Sequence, residues 1–559
     1  MKFKPHDYQK TTIDFMMTHD RGLVILDMGL GKTVSSLTAI KKSMFPRDGS
    51  KPRFRRPLII APKIVSENTW ADEIMKWDHL KRMKYVELDA TRPDHRIKQF
   101  ERIKDGVLTI MSESKIQWII DLFNDPLSDY EWPWDAIFID EITLFKSPKS
   151  KRFQNLRKKL QNRCDYVFGL TGTPAPNDLA DLWAIMLLID RGARLGTTKA
   201  KFNKRYCKGI TVKINGGEQE ITNYKVADEA YEDVLEAIED VCIAMKASDY
   251  LTDQAEVVVH KHEIALPEKT YDLIDELTVE RVLSLAENDK PDRVKRLERR
   301  IERYRNSPDL KKQLRVPKLE KRLKRIDSGN EITLRASHVF SLISIGRQLA
   351  GGAVYEALPE TEDEDEIREA LKNRRVINDN KSKVATAAEI IEATNDNVLV
   401  FYHYKHEAER LMKLYPDAEI LNSKNSQKVK RRWNDGKIRV LLANPSSTKF
   451  GLNLQDGGHT IIWFGLDYSF EKYVQSNARL ARQGQQSKQV DVHILAAKDT
   501  IDVDIEAAIL GKASINDFVY DSLGADKTVR SELKQVAQTR ISDAVMKATG
   551  KKTSFVERD

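Results

Sequence analysis

Four short clusters in this 559-residue chain carry the residue types that handle a nucleoside triphosphate. Asp27, Met28, Gly29, Leu30, Gly31, Lys32 and Thr33 read DMGLGKT, after an apolar run and before a stretch in which Val34, Leu37 and Ile40 recur at helical spacing. Glycines there let backbone amides turn toward phosphate at a helix N-terminus, Lys32 supplies a point charge for the β and γ phosphates, and Thr33 offers a hydroxyl to Mg²⁺. The full phosphate-loop pattern would have a glycine where this chain has Leu26. About 110 residues on, the run AIFIDE ends in adjacent acids. Asp140 suits Mg²⁺ held through its water shell, and Glu141 suits orienting and deprotonating an attacking water. A third cluster, LTGTPAPN from Leu170 to Asn177, puts Thr171 and Thr173 after another apolar run, where they are placed to sense a γ phosphate or simply to form a Pro/Gly turn. In QSNARLARQGQ, Arg479 and Arg482 lie three apart. On a helix that spacing aims both planar guanidiniums the same way, either as arginine fingers reaching a developing phosphoryl charge from another lobe of the fold or as a solvated basic helix face.

These clusters need strand ends to hold them. Short β-branched runs alternate with helix-like segments in two separate stretches, the pattern of parallel α/β sheets. The first stretch holds Gly22 to Met28, Pro57 to Ala61, Val107 to Met111, Ala136 to Ile139 and Tyr166 to Leu170; the second holds Val398 to Tyr402, Ile438 to Leu442, Thr460 to Phe464 and Val490 to Leu495. The fold class expected is therefore α/β, with two parallel-sheet lobes, helical insertions and a helical C-terminal tail. The expected boundaries are 1–248 for the first lobe, 249–350 for a linker and helical protrusion, 351–497 for the second lobe and 498–559 for a tail packed on that second lobe. Between Pro267 and Arg347 the composition shifts to Lys, Arg, Glu and Leu, and Val294, Leu297, Ile301 and Tyr304 form a narrow apolar stripe at helical spacing. The acidic run from Glu360 to Glu366 reads as a solvated loop.

The composition narrows the class further. The length allows several domains, each able to bury its own core. Cys164, Cys207 and Cys242 are far apart with no CxxC spacing, so neither a disulfide scaffold nor a zinc site is expected, and a reducing compartment fits. No stretch approaches 18 uninterrupted apolar residues and no leader pattern opens the chain, so a soluble, cytoplasmic, nucleoid-associated protein with no membrane partner is expected. The 93 Lys and Arg against 85 Asp and Glu leave a net charge of +8.

The phosphate loop, acid pair, TGTP run and distal arginines, in this order, resemble the superfamily 2 helicases, and more closely the Swi/Snf-type ATP-dependent DNA translocases in a compact phage or bacterial form. DMGLGKT and LTGTPAPN are similar to that family's own versions, and Leu58 to Trp77 resembles its segment of a strand, an AP pair and a Trp-bearing helix. Phe450 to Gln455 resembles its GLGINL stretch and Ala481 to Gln485 its HRIGQ ending. The resemblance implies two RecA-like lobes with ATP and Mg²⁺ as cofactors, Gln9 reading adenine and Gly451 among the nucleotide contacts. Three departures stand out. The family's DEAH or DEGH box reads DEIT with Ile142 and Thr143; Ala478 and Ala481 replace an Asp and a His; Thr448 and Lys449 replace glycines. These bear on coupling between lobes more than on ATP binding.

The resemblance also implies double-stranded or branched DNA as partner, lying across both lobes on the face away from ATP, with the protein acting as a monomer. Hydroxyls and amines at strand ends bind phosphate without reading sequence. The candidates in the first lobe are Lys63, Ser112, Ser114 and the run holding Lys146, Lys149, Lys151 and Arg152; in the second they are His403, Lys405, Ser423 and Lys424. From Pro291 to Ile326 there are 15 Lys or Arg and five Asp or Glu, a net of +10, with Arg296, Arg299, Arg300 and Arg303 at its centre. This is either a salt-sensitive DNA grip or a solvated hairpin. Three functions follow: a translocase on double-stranded DNA, a strand-separating DNA or RNA helicase acting on forks or junctions, and an ATP-gated DNA-binding or partner-recruiting protein with little catalysis.

Overall fold

A computed structural model describes residues 1–523 except 64, 127–128, 215–218, 252–254, 275–300, 303, 307–312, 314–315, 318–319, 321–338, 356–368, 370–375, 378–379, 423 and 447–451. Two parallel sheets organise the chain. The first contains β1 (Arg21–Leu26), β2 (Pro57–Ala61), β3 (Lys84–Leu88), β4 (Val107–Ser112), β5 (Ala136–Asp140), β6 (Tyr166–Thr171) and, after the antiparallel hairpin β7 (Cys207–Ile214) and β8 (Gln219–Val226), β9 (Cys242–Met245). Its strand order is β3-β4-β2-β5-β6-β1-β9. The second contains β10 (Glu256–Ile264) and, after the two-residue pair β11 (Val354–Tyr355) and β12 (Val376–Ile377), β13 (Val398–Phe401), β14 (Glu419–Leu421), β15 (Val440–Ala443), β16 (Thr460–Trp463) and β17 (Gln489–Ala497), in the order β10-β17-β16-β13-β15-β14.

Helices cover both faces of each sheet, which is why the central strands read as continuous apolar runs. In β1, Leu23 and Ile25 enter one core while Val24 and Leu26 enter the other. In β13 the split is the same, with Leu399 and Phe401 on one face and Val398 and Val400 on the opposite one. Each of the nine strands read from the sequence overlaps a strand here. Within the two parallel sheets, the four that patterning missed, β3, β9, β10 and β14, lie at sheet edges. Exposure breaks up the hydrophobic signal of β10, which is buried only at Ile264, whereas β9 is fully buried but only four residues long. Strand β10 falls within the stretch expected to be linker and protrusion, yet it pairs along its whole length with β17, from Glu256 beside Gln489 to Ile264 beside Ala497.

The tail also departs from expectation. Residues Ile501–Leu523 form one helix that does not stay on the second lobe. Ile505 and Ile509 belong to the second lobe's core, whereas Val519, Tyr520 and Leu523 belong to the first lobe's. A helix of 23 residues is about 34 Å long, enough to reach from one sheet to the other. The acidic run 360–366 and most of the basic arm lie outside the described residues; within the arm, Ile301 is buried and Arg305 pairs with Glu320 at 2.5 Å.

Candidate active site

The phosphate loop connects β1 to the helix Lys32–Met44, at the C-terminal end of the central strands where open α/β sheets bind ligands. Gly31 caps that helix with φ 76° and Gly29 has φ 88°, the left-handed region that side chains avoid. Asp27 braces the turn by accepting from the amides of Met28 at 2.7 Å and Ala247 at 3.3 Å. A Cβ on Gly31 would lie 2.5 Å from Gln9 Nε2. Gln9 is buried, accepts from the His6 amide at 3.0 Å and donates to Leu30 O at 3.2 Å, so it is fixed against the loop. Lys32 Nζ donates to Leu26 O at 3.3 Å, and Thr33 is partly exposed beside it.

Asp140 ends β5 and is buried. Its Oδ2 accepts from the indole of Trp70 at 3.1 Å and its Oδ1 from the Glu141 amide at 3.1 Å. Burial raises its pKa against the opposing pull of Lys32. Glu141 has φ 49°, a left-handed conformation that turns its side chain out of the strand line. Burial pushes its carboxyl up to about 7; Asp140 and Glu471 push the same way, while Lys32 and Arg479 oppose. A carboxyl poised near neutrality is matched to accepting a proton at physiological pH.

The arginines come from the second lobe, but not from a helix. The helix Phe470–Asn477 stops before them, and Arg479 and Arg482 lie in the turns that follow. Tertiary ties end the helix. Leu480 and Ala481 are both buried, the Leu454 amide donates to Arg479 O at 3.3 Å, and Gln485 Nε2 donates to Gly458 O and Leu480 O. The two guanidiniums nevertheless face the first lobe. Arg479 lies within electrostatic reach of Glu141, and burial with Arg482 nearby brings it down to about 10. Its buried Nε has no hydrogen-bond partner among the described residues. Arg482 donates to Asn453 Oδ1 and faces Glu73 of the helix Trp70–Lys76.

Strand β6 delivers the TGTP turn to the same end of the sheet. Thr171 Oγ1 accepts from the Thr173 amide at 3.0 Å, while the buried hydroxyls of Thr173 and Thr143 have no partner among the described residues. A buried hydroxyl or guanidine nitrogen without a partner is costly and marks a place for a polar ligand. The groups gather around Lys32: Asp140 and Glu141 lie within its electrostatic reach, Arg479 within that of Glu141, and the TGTP turn beside its Nζ at Gly172, next to the loop amides and Thr33. That set fits a magnesium-bound triphosphate, with Thr33 and Asp140 as the oxygen donors to the metal.

The nucleic-acid candidates divide. Lys63 and Ser114 are exposed just past β2 and β4, and Arg152 reaches Glu113 at 3.7 Å, so these three gather on the β4-β2 side of the sheet, away from the β5-β6-β1 nucleotide residues. Lys149 and Lys151 are exposed next to them in sequence. Ser112 is buried and its hydroxyl is engaged by Glu113 and Ser114. Lys146 faces Asp181 and Lys512 instead, at the middle of the helix Ile501–Leu523. In the second lobe Lys405 pairs with Glu409 at 3.0 Å and Lys424 is exposed. Burial and Arg347 push the His403 imidazole down to about 3, so it is neutral and offers no charge to a phosphate. Gly451, Ser423, Arg296, Arg299, Arg300 and Arg303 lie outside the described residues. The sequence reading did not single out Trp70, which holds Asp140, or Lys115, which lies near Lys63 at the same strand ends. Lys115 directly follows Ser114, a signal available in the sequence; Trp70 gave none beyond its place in the resemblance.

The SNF2-related domain family matches residues 8–283, and the helicase conserved C-terminal domain family matches residues 382–484. The chain is 28% identical over 530 residues to protein p41 of Acyrthosiphon pisum secondary endosymbiont phage 1, covering 93% of this chain and 99% of that protein. It is 32% identical over 216 residues to the human DNA excision repair protein ERCC-6-like, 37% of this chain but 16% of that protein, and 28% identical to the Arabidopsis thaliana chromatin-remodeling ATPase INO80 over 34% of this chain and 12% of that one. A solved structure titled Sulfolobus solfataricus SWI2/SNF2 ATPase core in complex with dsDNA aligns over 97% of both chains with 16% identity and a TM-score of 0.37.

Proposed function

This chain belongs to the Swi/Snf-type superfamily 2 helicase-like ATPases, and from that premise we propose that it is a DNA-dependent ATPase that couples hydrolysis to movement along double-stranded DNA. One observation carries the reading: the acid that follows β5 in the first lobe and an arginine of the second lobe lie within electrostatic reach of each other, Glu141 and Arg479 each shifting the other's ionisation. A nucleotide between them would draw the lobes together, and its hydrolysis would release them.

The residues divide the work. Gln9 and the amides of Met28 to Thr33 orient the nucleotide, with Lys32 on its β and γ phosphates. Thr33 and Asp140 would hold Mg²⁺, which when bound would neutralise charge on the phosphate oxygens. Trp70 keeps the Asp140 carboxylate aimed by its indole hydrogen bond. Glu141 takes the proton of the attacking water, a role suited to its pKa of about 7. Arg479 and Arg482 stabilise the negative charge that spreads over the transferring group. Lys63, Ser114, Lys149, Lys151, Arg152, Lys405 and Lys424 are the proposed phosphate contacts on DNA, joined by Arg296, Arg299, Arg300 and Arg303 of the basic arm.

ATP turnover measured with blunt duplex, forked and branched DNA, single strands and RNA, at one stated salt, tests the proposal. Strongest stimulation by blunt duplex is the expected result. A strong preference for RNA or forked substrate would support a strand-separating helicase instead, and ATP binding without DNA-stimulated turnover would support a gated clamp.

A further inference from the structure

The helix Ile501–Leu523 has two anchorages. Its first half is rooted in the second lobe, where Asp502 accepts from the buried Lys383 at 2.5 Å and from the Ala497 amide at 3.0 Å. Glu506 pairs with Lys261 at 3.1 Å, and Lys512 donates to Tyr468 O at 2.5 Å. Its second half meets the TGTP segment. The Asn516 carboxamide donates to Ala175 O at 2.8 Å and accepts from the Ala175 amide at 3.1 Å, and the Tyr520 hydroxyl donates to Gly172 O at 2.7 Å. Residues four apart share a helix face, so one face carries both contacts. Asn516 and Tyr520 are buried, as is Val519 between them.

The two contacts bracket Thr173, the residue of the segment with a buried, unpartnered hydroxyl. On its other side the segment touches the phosphate loop: a Cβ on Gly172 would lie 3.2 Å from Leu26 O and 3.5 Å from Lys32 Nζ. The TGTP turn is thus pressed between the phosphate-binding lysine and a helix whose root is in the other lobe. Burial first, then the nearby Asp27 and Glu141 carboxylates, raise the Tyr520 phenol well above its ordinary pKa, so it remains a hydrogen-bond donor throughout the neutral range.

We infer that Asn516 and Tyr520 are positioning residues of the nucleotide site: they set the TGTP turn against the phosphate loop, so that recognition of a third phosphate depends on a helix rooted in the second lobe. This rests on the ATPase reading above and goes beyond it by placing a C-terminal element in phosphate discrimination. Neither residue touches the nucleotide; each acts through the backbone of Gly172 or Ala175.

The test compares the full chain with Tyr520→Phe, Asn516→Ala and, as a control on the same helix, Leu510→Ala, whose side chain is 57% exposed. Three quantities are read: kcat and KM for ATP, the ratio of dissociation constants for ADP and a non-hydrolysable ATP analogue, and the thermal midpoint. Tyr520→Phe and Asn516→Ala are expected to lower kcat by about three- to ten-fold, the factor one buried hydrogen bond carries. They should also narrow the preference for triphosphate over diphosphate, with ADP affinity unchanged and Leu510→Ala at wild-type values. Wild-type kcat and wild-type preference in both variants would overturn the inference. So would losses that follow only a fall in thermal midpoint. If the wild type itself lacks turnover, the ATPase reading fails separately, and the affinity ratio still decides: a narrowed ratio upholds the role of Tyr520 and Asn516, an unchanged one removes it.

Discussion

Glu141 combines two costs that a residue without a task would not carry. Its φ of 49° lies in a region that costs a non-glycine residue about 1–2 kcal/mol, and its carboxyl is held up at about 7 by burial. The pH consequence has a definite sign. An acid whose folded pKa exceeds its unfolded value binds more protons folded than unfolded between the two, so this group's contribution to stability falls as pH rises from about 4.5 to about 7. Glu141→Gln should therefore melt at a higher temperature than wild type at pH 8, the gap closing below about pH 4.5, as differential scanning calorimetry across that range would show. The same carboxyl predicts that kcat/KM for ATP rises with pH through about 7 before any other group intervenes. Arg479→Ala removes the charge facing Glu141 and should reduce turnover by roughly 100-fold, with ATP binding little changed. Trp70→Phe deletes only the indole donor to Asp140, and the expected signature is a higher Mg²⁺ requirement in the ATPase assay.

The phosphate loop and Gln9 work as a unit because the missing side chain of Gly31 leaves the space that the Gln9 carboxamide fills. Gly31→Ala forces a side chain into φ 76° and toward Gln9 Nε2, so it should cost about 1–2 kcal/mol of stability and weaken nucleotide binding together, read by melting and by titration with ADP. Much of this element was legible in the sequence, since DMGLGKT, AIFIDE and LTGTP each follow a buried apolar run that β1, β5 and β6 account for. Periodicity could not reveal the ends of elements. Arg479 and Arg482 have helical spacing, yet buried Leu480 and Ala481 and the tie to Leu454 turn the chain out of its helix first. Strand β10 stayed hidden because its edge position leaves Val257 and Val259 exposed and its histidines half-buried among charges. The bridging helix was hidden for another reason. Ile505, Ile509, Val519 and Leu523 recur along one apolar stripe, and a sequence does not say that the two lengths of one helix face belong to two lobes.

At the scale of the molecule, charge is unevenly distributed. The chain carries +8 in total and +10 between Pro291 and Ile326, so the remainder is close to neutral, at −2. A near-neutral pair of lobes with a localised basic arm predicts where DNA affinity resides. Replacing Arg296, Arg299, Arg300 and Arg303 by Ala should weaken DNA stimulation of turnover and flatten its dependence on salt, because each neutralised phosphate contributes to the slope. Unchanged stimulation and slope would make the arm a solvated protrusion. Among the described residues, several contacts between the lobes lie near the nucleotide residues: Glu141 faces Arg479, Glu73 faces Arg482, and the TGTP turn bonds Asn516 and Tyr520, while Lys246 pairs with Asp517 of the same helix at 3.5 Å. Opening or closing the lobes would therefore disturb the nucleotide site. The most direct measurement is ATP hydrolysis by wild type and Glu141→Gln, with and without blunt duplex DNA, alongside ATP binding to both. Strong duplex stimulation in wild type, with turnover nearly abolished and binding retained in the variant, is the predicted result; wild-type turnover in Glu141→Gln, or wild-type hydrolysis indifferent to duplex, would contradict the account.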